Sequence, residues 1–407
     1  MAELRENTWS LDEWYDQNVA GTTGGYRFGG AMWIQGSNNV GRLLNQPSSL
    51  KISSPTQVGS STDWKFVKFH SGIKRDGTLW GWGQGGNGQL GQNDRTDRSS
   101  PIQIGTENTW KFVTGLNNCW GIKTDGTLWV WGYGTHGSLG LNQGGPAQRV
   151  SSPTQVGTDT TWATIANGDG SQTTLATKTD GTLWSWGYNG NGGLGLNQAG
   201  LPDSRSSPTQ VGTDTSWSAD TSDPAAMQTV DVGVGCQFAI KANGTMWSWG
   251  FNSQGQLGRN QAPGNTNCSS PTQIPGTNWR SLHAQNQGPG QRCVFATRTN
   301  GTLYAWGSNG YGQLGQNNRT TISSPAQIPG TTWTSTSYGL AEKGHSPRLK
   351  TDGTYWTWGQ NYMGPLGLNQ SGYPNQKSRS SPTQVGTDST WFSTGAFSDT
   401  LIWALKN

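Results

Sequence analysis

Charge is scarce in this chain of 407 residues: Asp, Glu, Lys and Arg together make up 12% of it, and the formal net charge is +4. No lysine- or arginine-rich run occurs, so the electrostatic footprint of a nucleic-acid binder is missing. Hydrophobic residues are also few, at 30%, which leaves too little Leu, Ala and Val for helical or α/β cores. The four cysteines, Cys119, Cys236, Cys268 and Cys293, form no CxxC or Cys/His spacing. They read as small buried hydrophobes, and no metal site is expected. No apolar stretch is long enough for a membrane span, and the charged opening, residues 1–6, reads as neither signal nor transit peptide. G-x-S-x-G, HExxH and phosphate-loop patterns are absent, and His70, His136, His283 and His345 accompany no repeated Ser, Cys or carboxylate. Catalytic residues and cofactors are therefore not expected.

What the chain does have is 62 Gly and 23 Trp. Each Trp can bury roughly 150–250 Å², so the apolar mass comes in few, very large pieces. Abundant Gly, Asn, Asp, Ser and Pro supply turns, and the expected product is many short strands.

Those residues repeat. The pattern [DN]-G-T-[LMY]-[WY]-x-W-G stands at 76–83, 125–132, 180–187, 243–250, 300–307 and 352–359, with a degraded copy at 30–36. Each copy leads through x-L-G and a variable loop to Ser-Ser-Pro, at Pro55, Pro101, Pro153, Pro208, Pro271, Pro325 and Pro382. Asp-Gly or Asn-Gly between alternating apolar residues is a strong hairpin signal, because a type I′ turn needs φ > 0 at both central residues. A strand precedes the turn and another comes after it. Pro-Thr-Gln-Val gives a third, where the missing N–H of Pro is harmless. A fourth carries Trp64, Trp110, Trp162, Trp217, Trp279, Trp333 or Trp391. Four strands per repeat predict an all-β, seven-bladed β-propeller of four-stranded blades. The end of the chain matches the first half of a repeat and residues 29–55 the second half, so a composite blade from N- and C-terminal strands closes the ring and hides its edges. The predicted organisation is an extension over 1–28 and a propeller over 29–407.

The pattern D-G-T-L-W-x-W-G with G-Q-L-G and S-S-P-x-Q-[VI] resembles the regulator of chromosome condensation family of seven-bladed propellers (RCC1-like repeats), over roughly residues 29–407. The family implies the fold, and it hosts a chromatin-bound guanine-nucleotide exchange factor, ubiquitin-ligase modules and a plant ultraviolet-B photoreceptor. Several residues depart from those roles. The first 18 residues carry Glu3, Glu6, Asp12, Glu13 and Asp16 against Arg5, where the exchange factor has a basic tail. The photoreceptor's Gly-Trp-Arg-His-Thr copies are replaced by Gly235-Cys-Gln-Phe-Ala, Gln291-Arg-Cys-Val-Phe and Gly344-His-Ser-Pro-Arg. The family's His before the hairpin survives as His345, with Asn118, Thr173, Cys236 and Cys293 in the equivalent slots. The opening, residues 6–22, is similar to the start of propeller proteins encoded by marine bacteriophages.

Three sets of residues are candidate sites. One base precedes every hairpin by two residues: Lys74, Lys123, Lys178, Lys241, Arg298, Lys350 and Lys406. In a ring they repeat at one height and form a collar for an anionic glycan or acidic partner, or else they are solvated strand ends. Trp82, Trp131, Trp186, Trp249, Trp306 and Trp358 form one face of the W-x-W strands and read as inter-blade packing, with sugar or base stacking as the functional alternative. Ser10 and Glu13 make a capping box for a short helix whose Trp9, Leu11, Trp14 and Tyr15 form a docking peptide, on this propeller or on another subunit. The variable loops before Ser-Ser-Pro emerge on one side of the disc and offer a recognition surface, with an extra protrusion at 219–229.

A polar, Trp-rich body without an export signal fits a virion protein released by lysis. The expected function is thus non-enzymatic: a phage head, neck or tail appendage that binds other virion proteins, copies of itself, or a host-surface glycan or protein. Neither nucleic acid nor membrane insertion is expected. The alternative is an intracellular scaffold or exchange-factor-like regulator that binds proteins through one face.

Overall fold

In the computed structural model the described residues are 31–37, 51–57, 60–68, 71–144, 147–167, 172–219, 229–261, 264, 266–284, 292–334, 344–361, 366–368, 378–398 and 401–406. They form an all-β propeller of antiparallel sheets, with one 3₁₀ turn at Leu201–Asp203. The first sheet shows the plan. Its strands Trp64–Lys68, Ser71–Lys74, Leu79–Gly83 and Arg98–Gln103 pair in chain order, each antiparallel to the next. The first strands of successive sheets touch one another and so lie nearest the axis. The Ser-Ser-Pro strands form the outer edge and are half-exposed.

Among the described residues six sheets have four strands and one has three, which corrects the expectation of seven four-stranded blades. The three-stranded sheet joins His345–Leu349, Tyr355–Gly359 and Arg379–Gln384. On its axial side the described residues show one bridge, between Trp333 and Lys350. Other axial strands alternate bulky side chains, as in Trp110-Lys-Phe-Val-Thr or Trp162-Ala-Thr-Ile-Ala. The residues after Thr334, 335–343, lie outside the described ones. The fourth sheet also departs from the plan. Trp217 also makes only a bridge, to Lys241, and the axial strand is Val230–Val232, on the far side of the insertion.

The sheet of the two chain ends has the order 51–57, 31–37, 401–406, 391–398. Ala31 pairs with Lys406 and Gly36 with Leu401.

The repeat's apolar letters are its core. Leu79, Leu128, Leu183, Met246, Leu303 and Tyr355, which come just after the turn, are fully buried. Each accepts, through its carbonyl, the amide of the apolar residue that follows the Ser-Ser-Pro strand, as in Ile104 to Leu79 at 2.7 Å. No helix of the described residues is long and apolar enough to cross a membrane.

Candidate interaction face

Strand register divides the propeller into two faces. One carries the Asp-Gly-Thr turns, the other the W-G ends and the variable loops. At the turn face, Asp76 Oδ1 accepts from the backbone N–H of Thr78 at 3.0 Å and from its hydroxyl at 2.6 Å. The Thr78 oxygen then accepts from the indole of Trp80 at 2.8 Å. The same relay recurs at Asp125, Asp180, Asn243 and Asp352. It fixes the ring over which the collar residue lies. Lys123 Nζ sits 3.7 Å from the Trp129 ring centroid and 5.0 Å from Trp110, and it pairs with Glu107 at 2.6 Å. Its side chain is 6% exposed, whereas that of Glu107 is 54% exposed.

Every collar residue with a described side chain adopts this plan. Lys74, Lys178, Lys241, Arg298 and Lys350 each lie over two aromatic rings of their own sheet. Lys74 pairs with Asp63, Lys178 with Asp159 and Lys241 with Asp214. The Lys241 ammonium, with the Ser216 hydroxyl, holds the Asp214 carboxyl down at about 2. Of Lys406 the backbone alone is described, paired to Ala31 and Trp391. Six of the seven cations therefore point into clamps, and above four of them the turn face shows an acid to solvent: Asp63, Glu107, Asp159 and Asp214. Cation–π contacts of this kind contribute about 0.5–2 kcal/mol each, and half-exposed ion pairs less.

The second tryptophans join neighbouring sheets. Trp131, Trp186, Trp249, Trp306 and Trp358 are fully buried, and each donates its indole N–H to a carbonyl of the preceding repeat: Gln89, Ser138, Gly193, Gln256 and Gln313. Trp82 is equally buried and packs at 5.6 Å against Trp64. The x-L-G glycine lies under the indole. At Gly140 φ is +67°, and a Cβ would come 2.9 Å from Trp186 Nε1.

The loop face differs from blade to blade. Directly after W-G, the second to fourth sheets place half-exposed aromatic rings: Tyr133, Tyr188 and Phe251. Each is covered by a basic or imidazole side chain. The Arg149 guanidinium lies 4.8 Å above Tyr133, the His136 ring 5.1 Å from Tyr188, and the Arg292 guanidinium 4.6 Å above Phe251. Arg292 is fixed by donating to Ser253 Oγ at 2.7 Å. An array of Tyr, Phe and Arg on one face has the composition of protein-binding hot spots. Sequence reasoning missed it, because its only signal is the identity of one residue after a repeated glycine.

The slots aligned before the hairpins coincide in register: Asn118, Thr173, Cys236, Cys293 and His345 each face a W-G glycine. Burial pushes the Cys236 thiol up to about 12 and the His345 imidazole down to about 3, so both are uncharged at neutral pH. None of the four cysteines forms a disulfide. Among the described residues no group of three or more His, Cys, Asp or Glu could hold a metal ion. Trp9, Leu11, Trp14 and Tyr15 lie outside the described residues.

The sequence pattern described as the regulator of chromosome condensation (RCC1) repeat matches residues 76–114, 125–173, 180–240, 243–284 and 300–339, more than half of the chain. The E3 ubiquitin-protein ligase HERC2 of Homo sapiens is 27% identical over 200 residues, 49% of this chain and 4% of that protein. The protein RCC2 homolog of Danio rerio is 38% identical over 90 residues, 22% of this chain and 17% of the relative. The chain thus spans a small part of either relative. Among solved structures, Prp20p of Saccharomyces cerevisiae, described with its binding to Gsp1p and histones, has a TM-score of 0.74, covering 93% of this chain and 91% of that one. At 16% identity that likeness shows the fold.

Proposed function

The chain belongs to the regulator of chromosome condensation (RCC1) repeat family, and from that premise we propose that it is a non-enzymatic scaffold or regulator that binds a protein partner through its loop face. The observation that carries this reading is the row of Tyr133, Tyr188 and Phe251 with Arg149, His136 and Arg292 stacked on them. Such rings offer large contact area at low conformational cost, and the guanidiniums supply directional donors to a partner's carboxylates and carbonyls. The binding of Prp20p to Gsp1p and histones is in keeping with a protein partner. The virion placement expected from the sequence gains nothing from these relatives, and glycan recognition has no counterpart among them.

A photo-crosslinking amino acid placed at position 188, in cells that express the chain, tests the reading. It is expected to capture a discrete protein, whereas the same probe at position 159 on the turn face captures none. Capture from 159 alone overturns the choice of face.

A further inference from the structure

Between the fifth and sixth sheets, close to the axis, a buried cation stands where the other blades keep a methyl group or nothing. Arg348 pairs in register with Trp356. The equivalent partners of Trp80, Trp129, Trp184, Trp247 and Tyr304 are Gly72, Gly121, Ala176, Ala239 and Ala296. The rung is tight elsewhere: a Cβ at Gly121 would approach Trp110 to 2.4 Å. Among the described residues the sixth sheet alone carries an arginine at this rung.

Arg348 is 2% exposed. Its Nη1 donates to the Pro347 carbonyl at 2.8 Å, and its guanidinium lies 4.6 Å from the Phe295 ring. Its Nη2 is buried with no partner. Burial lowers the group to about 10, which still leaves it charged at neutral pH. Burying an unpaired charge is among the most destabilising arrangements a fold can hold, so the guanidinium requires a counter-charge.

The surroundings supply positive charge and little negative charge. Burial, reinforced by Arg348 and Lys68, drives the His283 imidazole far down and keeps it neutral, with one N–H to donate. Lys68, Asp231 and His283 occupy one height around the axis, since their strand partners Ser71, Phe238 and Phe295 all oppose the middle residue of a W-x-W segment. The Asp231 carboxylate accepts from the amides of Val232 at 2.8 Å and Ala284 at 2.9 Å, and it acts on Lys68. Among the described residues Arg348 has no ion pair.

We propose that the axial end of the fifth and sixth blades is a binding site for a small oxyanion, a carboxylate or phosphate, held by Arg348 Nη2 and a ring N–H of His283, with Lys68 adding to the field. The site is internal and separate from the loop-face aromatics, so it stands or falls independently of the partner reading.

Thermal unfolding of the full chain at pH 7, with inorganic phosphate or acetate in separate arms against chloride at matched ionic strength, tests it. The midpoint is expected to rise by about 3 °C or more with one of the two anions and to saturate. Arg348→Ala restores the side chain that sister blades carry, so it is expected to fold and to show no anion-dependent rise. His283→Ala is expected to weaken the apparent affinity at least fivefold. An equal, non-saturating rise in wild type and Arg348→Ala is general salt stabilisation and overturns the proposal.

Discussion

The indole of Trp131 donates to the carbonyl of Gln89 at 2.9 Å, and the two residues belong to neighbouring blades. The same bond recurs at four further junctions and always runs from a tryptophan back to the preceding repeat. Trp131→Phe keeps most of the ring volume and removes the donor, leaving a buried carbonyl with one partner fewer. The expected cost is about 1–3 kcal/mol in chemical denaturation. An unchanged midpoint would show that the bond contributes nothing beyond packing.

Two glycines with the same backbone separate strain from contact. Gly105 and Gly140 have φ of +65° and +67°, yet a Cβ at Gly105 meets nothing within 4 Å, whereas at Gly140 it meets the Trp186 indole. Gly105→Ala is expected to cost about 1 kcal/mol, the left-handed backbone alone. Gly140→Ala is expected to cost at least about 2 kcal/mol more, because the ring is locked between blades. Calorimetric midpoints of the pair decide this, and equal losses would contradict it.

Lys123 tests the clamps. Its Nζ lies over two indoles and beside Glu107, so Lys123→Met keeps the apolar stem and deletes the charge. A loss of about 1–2 kcal/mol is expected from the cation–π and ion-pair contacts together. Glu107→Gln is expected to cost less than about 1 kcal/mol, since that carboxylate is half in water. Urea titrations of both variants check the ranking, and a larger loss in Glu107→Gln would reverse it.

Asp231 gives the fold a pH signature. Burial raises its carboxyl to about 6, against the pull of Lys68 and the Ala284 and Val232 amides. A carboxyl whose folded value lies above its unfolded value near ~3.9 favours the fold most below pH ~4 and loses that contribution as pH rises through about 6. Asp231→Asn removes the titration. The stability of the variant minus that of wild type is therefore expected to grow by on the order of 2 kcal/mol from pH 4 to pH 7. A flat difference across that range would leave Asp231 with an ordinary carboxyl.

Local chemistry made most of the architecture readable. The Asp76–Thr78–Trp80 relay is written in five consecutive residues, so each hairpin announces itself without tertiary help. The axial strands were harder, because Trp217 and Trp333 look like Trp110 in sequence but make only bridges. In the fourth sheet the axial strand comes only at Val230–Val232, beyond an insertion that the repeat pattern does not place. The repeat gives Lys123 and its sisters a common position before the turn, but position does not reveal that two tryptophans and an acid from a separate loop enclose the Lys123 charge. Tyr133, Tyr188 and Phe251 carry no local motif of their own and become a group only when three sheets are set side by side.

The sheet shared by the chain ends makes ring closure a matter of time as well as of contacts. Strand Ala31–Ser37 finds its inner partner only in Leu401–Lys406, nearly the whole sequence away, so a long loop must be closed before that ladder forms. During synthesis the intermediate blades can pair locally while the strand at 31–37 waits with its inward edge unsatisfied. Closure is then the last and slowest association. Proteolytic sensitivity at the seam between these two strands is expected to persist after the hairpins have become protected when the denatured chain refolds.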